Sequence, residues 1–357
     1  MSKQAGTSHE LVALSPSPRF MPPDWKPPAS AWSASFAQQA TPVVMAYFGV
    51  QLDSFDSPSA AFSLRKFFDA ADTPANVETA NYRDRAGRRN LLSAAYWTDP
   101  ARYESWQRNS GFTAWWSDPA RQHDPQGYFR EILTVAPDRF ETIFTYDCLV
   151  GVAKTGGCPV VGPIREHNYW GSMRDRIAAS AHDELRSIYG DRLPRLGSSA
   201  TANRRLRVTV PESLAVIRSG QDWSNCAGSE LAQYDESVRP ALVEGMNFLR
   251  DHPDETGCCD LRFAEETDRA GSRLKKSFGL GYFLTLGHLE KWASTHPTHL
   301  AIFAKFLTMV REHGSDLKLK LWHEVSVLPS AGQVFEYINC HPETGLLPYF
   351  PSIDVRD

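Results

Sequence analysis

Neither sign of charge dominates this sequence: 38 basic residues stand against 42 acidic ones, leaving −4 at neutral pH. That balance is too weak to mark nucleic acid or an anionic membrane as a partner. Long apolar runs are missing too, since Val43-Val44-Met45-Ala46-Tyr47-Phe48 falls far short of a bilayer span. Met1 to Leu14 lack the basic start and apolar run of a signal peptide, so no export signal is expected. Cysteine is sparse. Cys148, Cys158, Cys226, Cys258, Cys259 and Cys340 are scattered, no CxxC occurs, and the adjacent Cys258-Cys259 suits a disulfide poorly. Free thiols in a reducing cytoplasm, and no zinc site, are the expectation. Also absent are a phosphate-cradling glycine loop after a strand, a GxSxG elbow and an HExxH helix.

What is present is an ordinary globular composition, 42% hydrophobic and 22% charged, in a chain of 357 residues. That length holds two domains or one pseudo-symmetric one. Proline crowds the first 41 residues (Pro16, Pro18, Pro22, Pro23, Pro27, Pro28), which predicts an extended arm wrapping a surface or a partner subunit. Strands are expected at 43–52, 90–96, 128–135 and 140–146, with helices at 57–71 and from Asp99-Pro100 through Trp106. A similar order follows: strands at 214–219, 261–265 and 281–285, a long helix over 229–250, and a last strand near 334–338. Tyr103-Glu104-Ser105-Trp106 matches Leu289-Glu290-Lys291-Trp292, and Phe140-Glu141 matches Phe335-Glu336. These echoes predict an α+β fold of tandem ferredoxin-like repeats, with halves at 42–200 and 201–345 and a tail at 346–357.

The stretch from Glu290 to Pro329 organises the second half. Pro297 suits a first helical position, and Gly314 supplies a stop. Along that helix His299, Phe303, Phe306 and Val310 share one stripe, which predicts an inward-facing imidazole against aromatic rings. Beyond it, Leu317 to Val327 alternates as a half-buried strand. Leu319, Leu321, His323, Val325 and Val327 should face inward, and Lys318, Lys320, Trp322, Glu324 and Ser326 outward. Two interior histidines could face each other across a slot for a flat cofactor, or each could be a core histidine with its own partner. A helical histidine beside Phe303 and Phe306 suits a haem ligand. His296 has metal-ligand spacing to His299, but it precedes Pro297 and should point elsewhere. Read alone, Ser219 could be a turn serine, Arg176 a solvated arginine and Glu141 an outward charge.

Taken together these stretches resemble the haem-containing aldoxime dehydratases. The matching segments are GYFREI (127–132), FET (140–142), YWGSMRDR (169–176), IRSGQDW (217–223), HPTHL (296–300), HEVSV (323–327) and QVFEYINCHP (333–342). The resemblance implies a dimeric α+β barrel with flanking helices and a haem pocket, haem b active in the ferrous state, and nitrile formation from an aldoxime. It implies His299 as proximal iron ligand, His323 as distal acid and base, Ser219 and Arg176 near the oxime, and Glu141 assisting. A homodimer and a small-molecule aldoxime substrate are implied as well. The segment around Arg311 to Asp316 is a few residues longer than the family pattern, which should lengthen the loop before His323. A non-catalytic haem-binding protein and a haem peroxidase on a related dimeric fold are the alternatives; a carrier needs His299 but has no use for Ser219, Arg176 and His323 together.

Overall fold

A computed structural model describes residue 14 and residues 18–36, 41–52, 59–70, 72–146, 149–197 and 200–355. Expectations for most of residues 1–17, for 37–40, 57, 58 and 71, and for Cys148 lie outside these residues. The strands are β1 (Ser33–Ala34), β2 (Val43–Leu52), β3 (Asn76–Arg83), β4 (Arg89–Trp97), β5 (Gly127–Val135), β6 (Phe140–Phe144), β7 (Val160–Val161), β8 (Arg205–Val208), β9 (Leu214–Asp222), β10 (Cys258–Thr267), β11 (Arg273–Phe283), β12 (Lys320–Leu328), β13 (Val334–Ile338) and β14 (Ser352–Asp354). The helices are α1 (Ser59–Phe68), α2 (Pro100–Asn109), α3 (Phe112–Ser117), α4 (Ser172–Arg176), α5 (Gly228–Gln233), α6 (Arg239–Asp251), α7 (Pro253–Thr256), α8 (Leu286–Thr295) and α9 (Pro297–His313). None of them is long and apolar enough to cross a membrane.

Twelve strands form one curled sheet in the order β14-β8-β13-β5-β2-β4-β3-β10-β11-β9-β12-β6, while β1 and β7 pair separately. The run β5-β2-β4-β3 is mirrored by β12-β9-β11-β10, and the halves join where Thr79 to Asn81 pair with Glu265 to Thr267. The residues of the sequence echo fall at corresponding places along the two strand runs. Asp99 caps α2 and Thr285 caps α8 through their side chains, and Trp106 and Trp292 are buried at matching places. Strands also cross between the halves: β6 pairs with β12, whereas β8 and β13 extend the edge beyond β5.

Local chemistry explains where the elements differ from expectation. Strand β3 escapes the pattern because it is polar and only Ala80 and Tyr82 are buried on it. The long helix expected over 229–250 carries a π turn at Tyr234–Val238 just ahead of Pro240, whose ring and missing N–H an unbroken α-helix would not tolerate. The segment after 345 is no loose tail, since Leu346, Leu347, Tyr349 and Phe350 are fully buried. The arm lies on its own chain, where Trp32 bridges to Phe144.

The concave face of the sheet holds the largest core, from Tyr47 and Tyr96 through Phe129 to Tyr282, Trp322 and Tyr337. Here the alternation of β12 needs correction. Trp322, Glu324 and Ser326, expected to face outward, are buried in this interior because the sheet curls over them. Glu324 accepts from the Tyr96 hydroxyl at 2.7 Å, and Glu131 from that of Tyr282 at 2.6 Å, so each half's tyrosine meets the other half's glutamate. On the convex side, α1 to α3 cover the first half with an aromatic cluster, and α6, α8 and α9 cover the second. The candidate site lies under that second set of helices.

Candidate active site

Strand pairing sets side by side the residues that the sequence left far apart. His323 on β12 pairs with Ser219 on β9, which pairs with Gly279 on β11. Side chains at paired positions share a face, so this row points toward the helices. Ser219 is therefore mid-strand rather than in a turn; it is exposed, and its hydroxyl makes only a long 3.5 Å contact with the Trp322 carbonyl. Gly279 keeps the row low, because a Cβ there would stand 2.8 Å from Met246 Sδ of α6. Glycines two apart on one strand, Gly279 and Gly281, were the sequence signal for this close approach.

Beside His323 stands a buried cluster. Glu141 from β6 and Arg176 from the end of α4 have side chains 1% and 2% exposed, so neither is the solvated charge that an isolated reading allowed. Arg176 Nε donates to Glu141 at 2.6 Å, its Nη1 donates to the Glu166 carbonyl at 2.7 Å, and its Nη2 lies 3.2 Å from His323 Nε2. His323 Nε2 is also 3.0 Å from the second Glu141 oxygen. Burial pushes the Glu141 carboxyl up, but Arg176 and His323 outweigh it and hold the group below the usual carboxylate range. The His323 ring remains 23% exposed, with Nδ1 free of hydrogen bonds to the described residues.

His299 sits on the first turn of α9, which Pro297 opens. Its neighbour His296 is the helix cap: Nδ1 accepts from the Thr298 N–H and the ring packs on Phe248 at 4.3 Å. His299 itself packs edge-on against Trp292 at 4.7 Å, and its Nδ1 is buried without a hydrogen bond to the described residues. Burial lowers its pKa, and the charge of His323 does so further. The Ala293 carbonyl opposes the shift without reaching hydrogen-bonding geometry. Phe303, Phe306 and Val310 continue the stripe as half-buried groups, so the expected inward face is an open apolar wall rather than a sealed core.

Known proteins share this chain's sequence and fold. Residues 46–346 match the family described as haem-containing dehydratase. A phenylacetaldoxime dehydratase of Bacillus sp. (strain OxB-1) is 36% identical over 342 residues, which is 94% of this chain and 96% of the relative. The chain belongs to the haem-containing dehydratase family. An aliphatic aldoxime dehydratase of Rhodococcus erythropolis is 38% identical over 341 residues, 92% of this chain and 93% of the relative. A solved aldoxime dehydratase superposes with a TM-score of 0.86 at 35% identity, covering 95% of this chain and 96% of that one. Another, in complex with butyraldoxime, gives 0.84 at 35% identity, covering 95% and 94%.

The residues present fit the haem that the dehydratase family carries. An axial ligand must be a neutral imidazole with one nitrogen free, and burial biases His299 to that form while its Nε2 makes no hydrogen bond to the described residues. The half-buried aromatic stripe beyond it provides the apolar wall. Among the described residues, registry leaves no matching opening on the other strand run. Ser219 pairs with Gly279, and at the equivalent place in the first half Phe48 pairs with Ser93. Phe48 fills the corresponding space, its ring 5.6 Å from Trp106 and 5.2 Å from Phe112.

Proposed function

We propose that this chain dehydrates aldoximes to nitriles, with haem held by His299 and proton transfer carried by His323. The observation that carries the reading is the buried Glu141–Arg176–His323 cluster beside the exposed Ser219, since a haem carrier has no use for an oriented, half-exposed imidazole. His299 would hold the haem, whose ferrous iron would supply electron-rich metal chemistry at the oxime N–O bond.

The chain's own residues do the rest. His323 works at Nδ1, the ring nitrogen that Glu141 and Arg176 leave free. In the protonated ring Nε2–H donates to Glu141 and Nδ1–H serves the oxime hydroxyl, so water leaves as the N–O bond breaks. The neutral ring keeps its anchor on Glu141 and presents a lone pair at Nδ1, which takes the proton from the oxime carbon and completes the C–N triple bond. One proton enters and one returns, so R–CH=N–OH gives R–C≡N and water with His323 restored. Ser219 Oγ donates to the oxime oxygen. Arg176, expected at the oxime itself, acts instead through Glu141 and His323, because its side chain is buried, Nε and Nη1 are bound to Glu141 and the Glu166 carbonyl, and Nη2 lies against the imidazole.

Two ferredoxin-like halves, at 42–200 and 201–345, are our reading of the mirrored strand orders. A homodimer in a reducing cytoplasm is likewise proposed, in keeping with five free, buried cysteines among the described residues. The deciding experiment mixes dithionite-reduced, haem-loaded protein with an aldoxime and follows nitrile by chromatography. Nitrile formation supports the reading; dye oxidation with peroxide and no nitrile makes the protein a peroxidase.

A further inference from the structure

Arg176 must be held still for this cluster to work, and α4 cannot do that alone. The helix has five residues, starts after Gly171 in the left-handed region (φ 95°) and has no side-chain cap. Isolated helices shorter than about 12–15 residues are marginal in water. The residue next to Arg176 supplies the missing anchor. Asp175 is buried, and its carboxylate accepts from the Arg19 N–H at 2.8 Å, the Phe20 N–H at 3.2 Å and the Tyr169 hydroxyl at 2.7 Å. Two of those three donors belong to the N-terminal arm.

The arm also fits the surface it crosses. Phe20 lies so close to Gly171 that a Cβ on the glycine would stand 2.5 Å from the Phe20 Cβ. Farther along, the Trp25 indole N–H donates to the His167 carbonyl at 3.0 Å, and its ring packs edge-on against Tyr169 at 5.6 Å. The Arg19 guanidinium reaches the Ser180 carbonyl on the far side of α4. Residues 19–25 thus tie down both ends of the segment from which Arg176 projects.

We propose that Asp175 is a positioning residue of the dehydratase site, and that arm residues 19–25 are a strap which holds Arg176, through Asp175, in its bridge between Glu141 and His323. The kinetic part of the test rests on the proposed reaction; the exchange part does not. In haem-loaded protein, Asp175→Ala and the milder Tyr169→Phe should each speed amide hydrogen exchange across 169–180 while leaving α9 unchanged. Asp175→Ala should lower kcat about 10-fold, the low end of the range found when an outer partner of a functional group is removed, with KM and haem content unchanged. Combined with Arg176→Ala it should cause no further loss, because both variants remove the same bridge. Wild-type exchange across 169–180 in both variants would overturn the strap, as would losses that multiply in the double variant. If Asp175→Ala does not fold, the exchange and kcat of Tyr169→Phe decide the question. A wild-type protein that makes no nitrile would sink the reaction and leave the exchange result standing.

Discussion

Glu141→Gln isolates the electrostatics of the cluster. In the native site the His323 ring lies 3.0 Å from a Glu141 oxygen and 3.2 Å from Arg176 Nη2. At an effective dielectric near 20, each contact is worth roughly 5 kcal/mol to a protonated imidazole, one attractive and one repulsive. The two nearly cancel, so removing either one unbalances the cluster. Glutamine removes the attraction, keeps the repulsion and leaves a buried guanidinium without its counter-ion. At about 1.4 kcal/mol per factor of ten, and allowing for water drawn into the site, kcat at pH 7 should fall by about 10²–10³. Adding Arg176→Met removes the stranded charge and should recover part of that loss. The assay is nitrile release by reduced protein under anaerobic conditions, with haem content measured in parallel. A Glu141→Gln variant within about threefold of wild type would refute the charge-balance reasoning, as would a double variant no better than the single.

Other expectations follow from single groups. His299→Ala should purify without a Soret band after haem reconstitution, while Ser219→Ala keeps the band and loses turnover by about a hundredfold, the usual effect of deleting one donor to a developing oxyanion. Phe48→Ala should cost about 3–5 kcal/mol in denaturant melts, because its ring fills the first half's aromatic cluster. Burial pushes the Glu324 carboxyl up from its ordinary 4.5 to about 7. The folded state therefore holds that proton more tightly than the unfolded chain, so stability is full below about pH 4.5 and falls as pH rises to about 7, by about 3 kcal/mol at most. Glu324→Gln should flatten this slope in thermal melts recorded between pH 4.5 and 8, and an unchanged slope would contradict the assignment.

The sequence made His299 and His323 legible because each sits on a regular element, where a period of 3.6 or 2 assigns a face. It misled on Trp322 and Glu324, since alternation separates two faces of a strand but cannot say that a curled sheet buries both. Glu141 and Arg176 were visible only through family motifs. Their partnership joins β6 to α4 across a segment with no periodic signal, and no local pattern predicts a contact of that kind. Asp175 and the arm were harder still, because backbone N–H groups of Arg19 and Phe20 do the binding and any residue but proline carries one. Phe48 became meaningful only once strand pairing placed it opposite the position of Ser219.

His323→Ala tests the central claim most directly. In a single-turnover experiment, reduced protein of this variant and of the wild type, matched in Soret absorbance, is mixed in excess over aldoxime and quenched over time. The account predicts that both proteins hold haem and bind the oxime, while nitrile forms in the wild type and falls by several orders of magnitude in the variant. Near-normal nitrile formation by His323→Ala would contradict it.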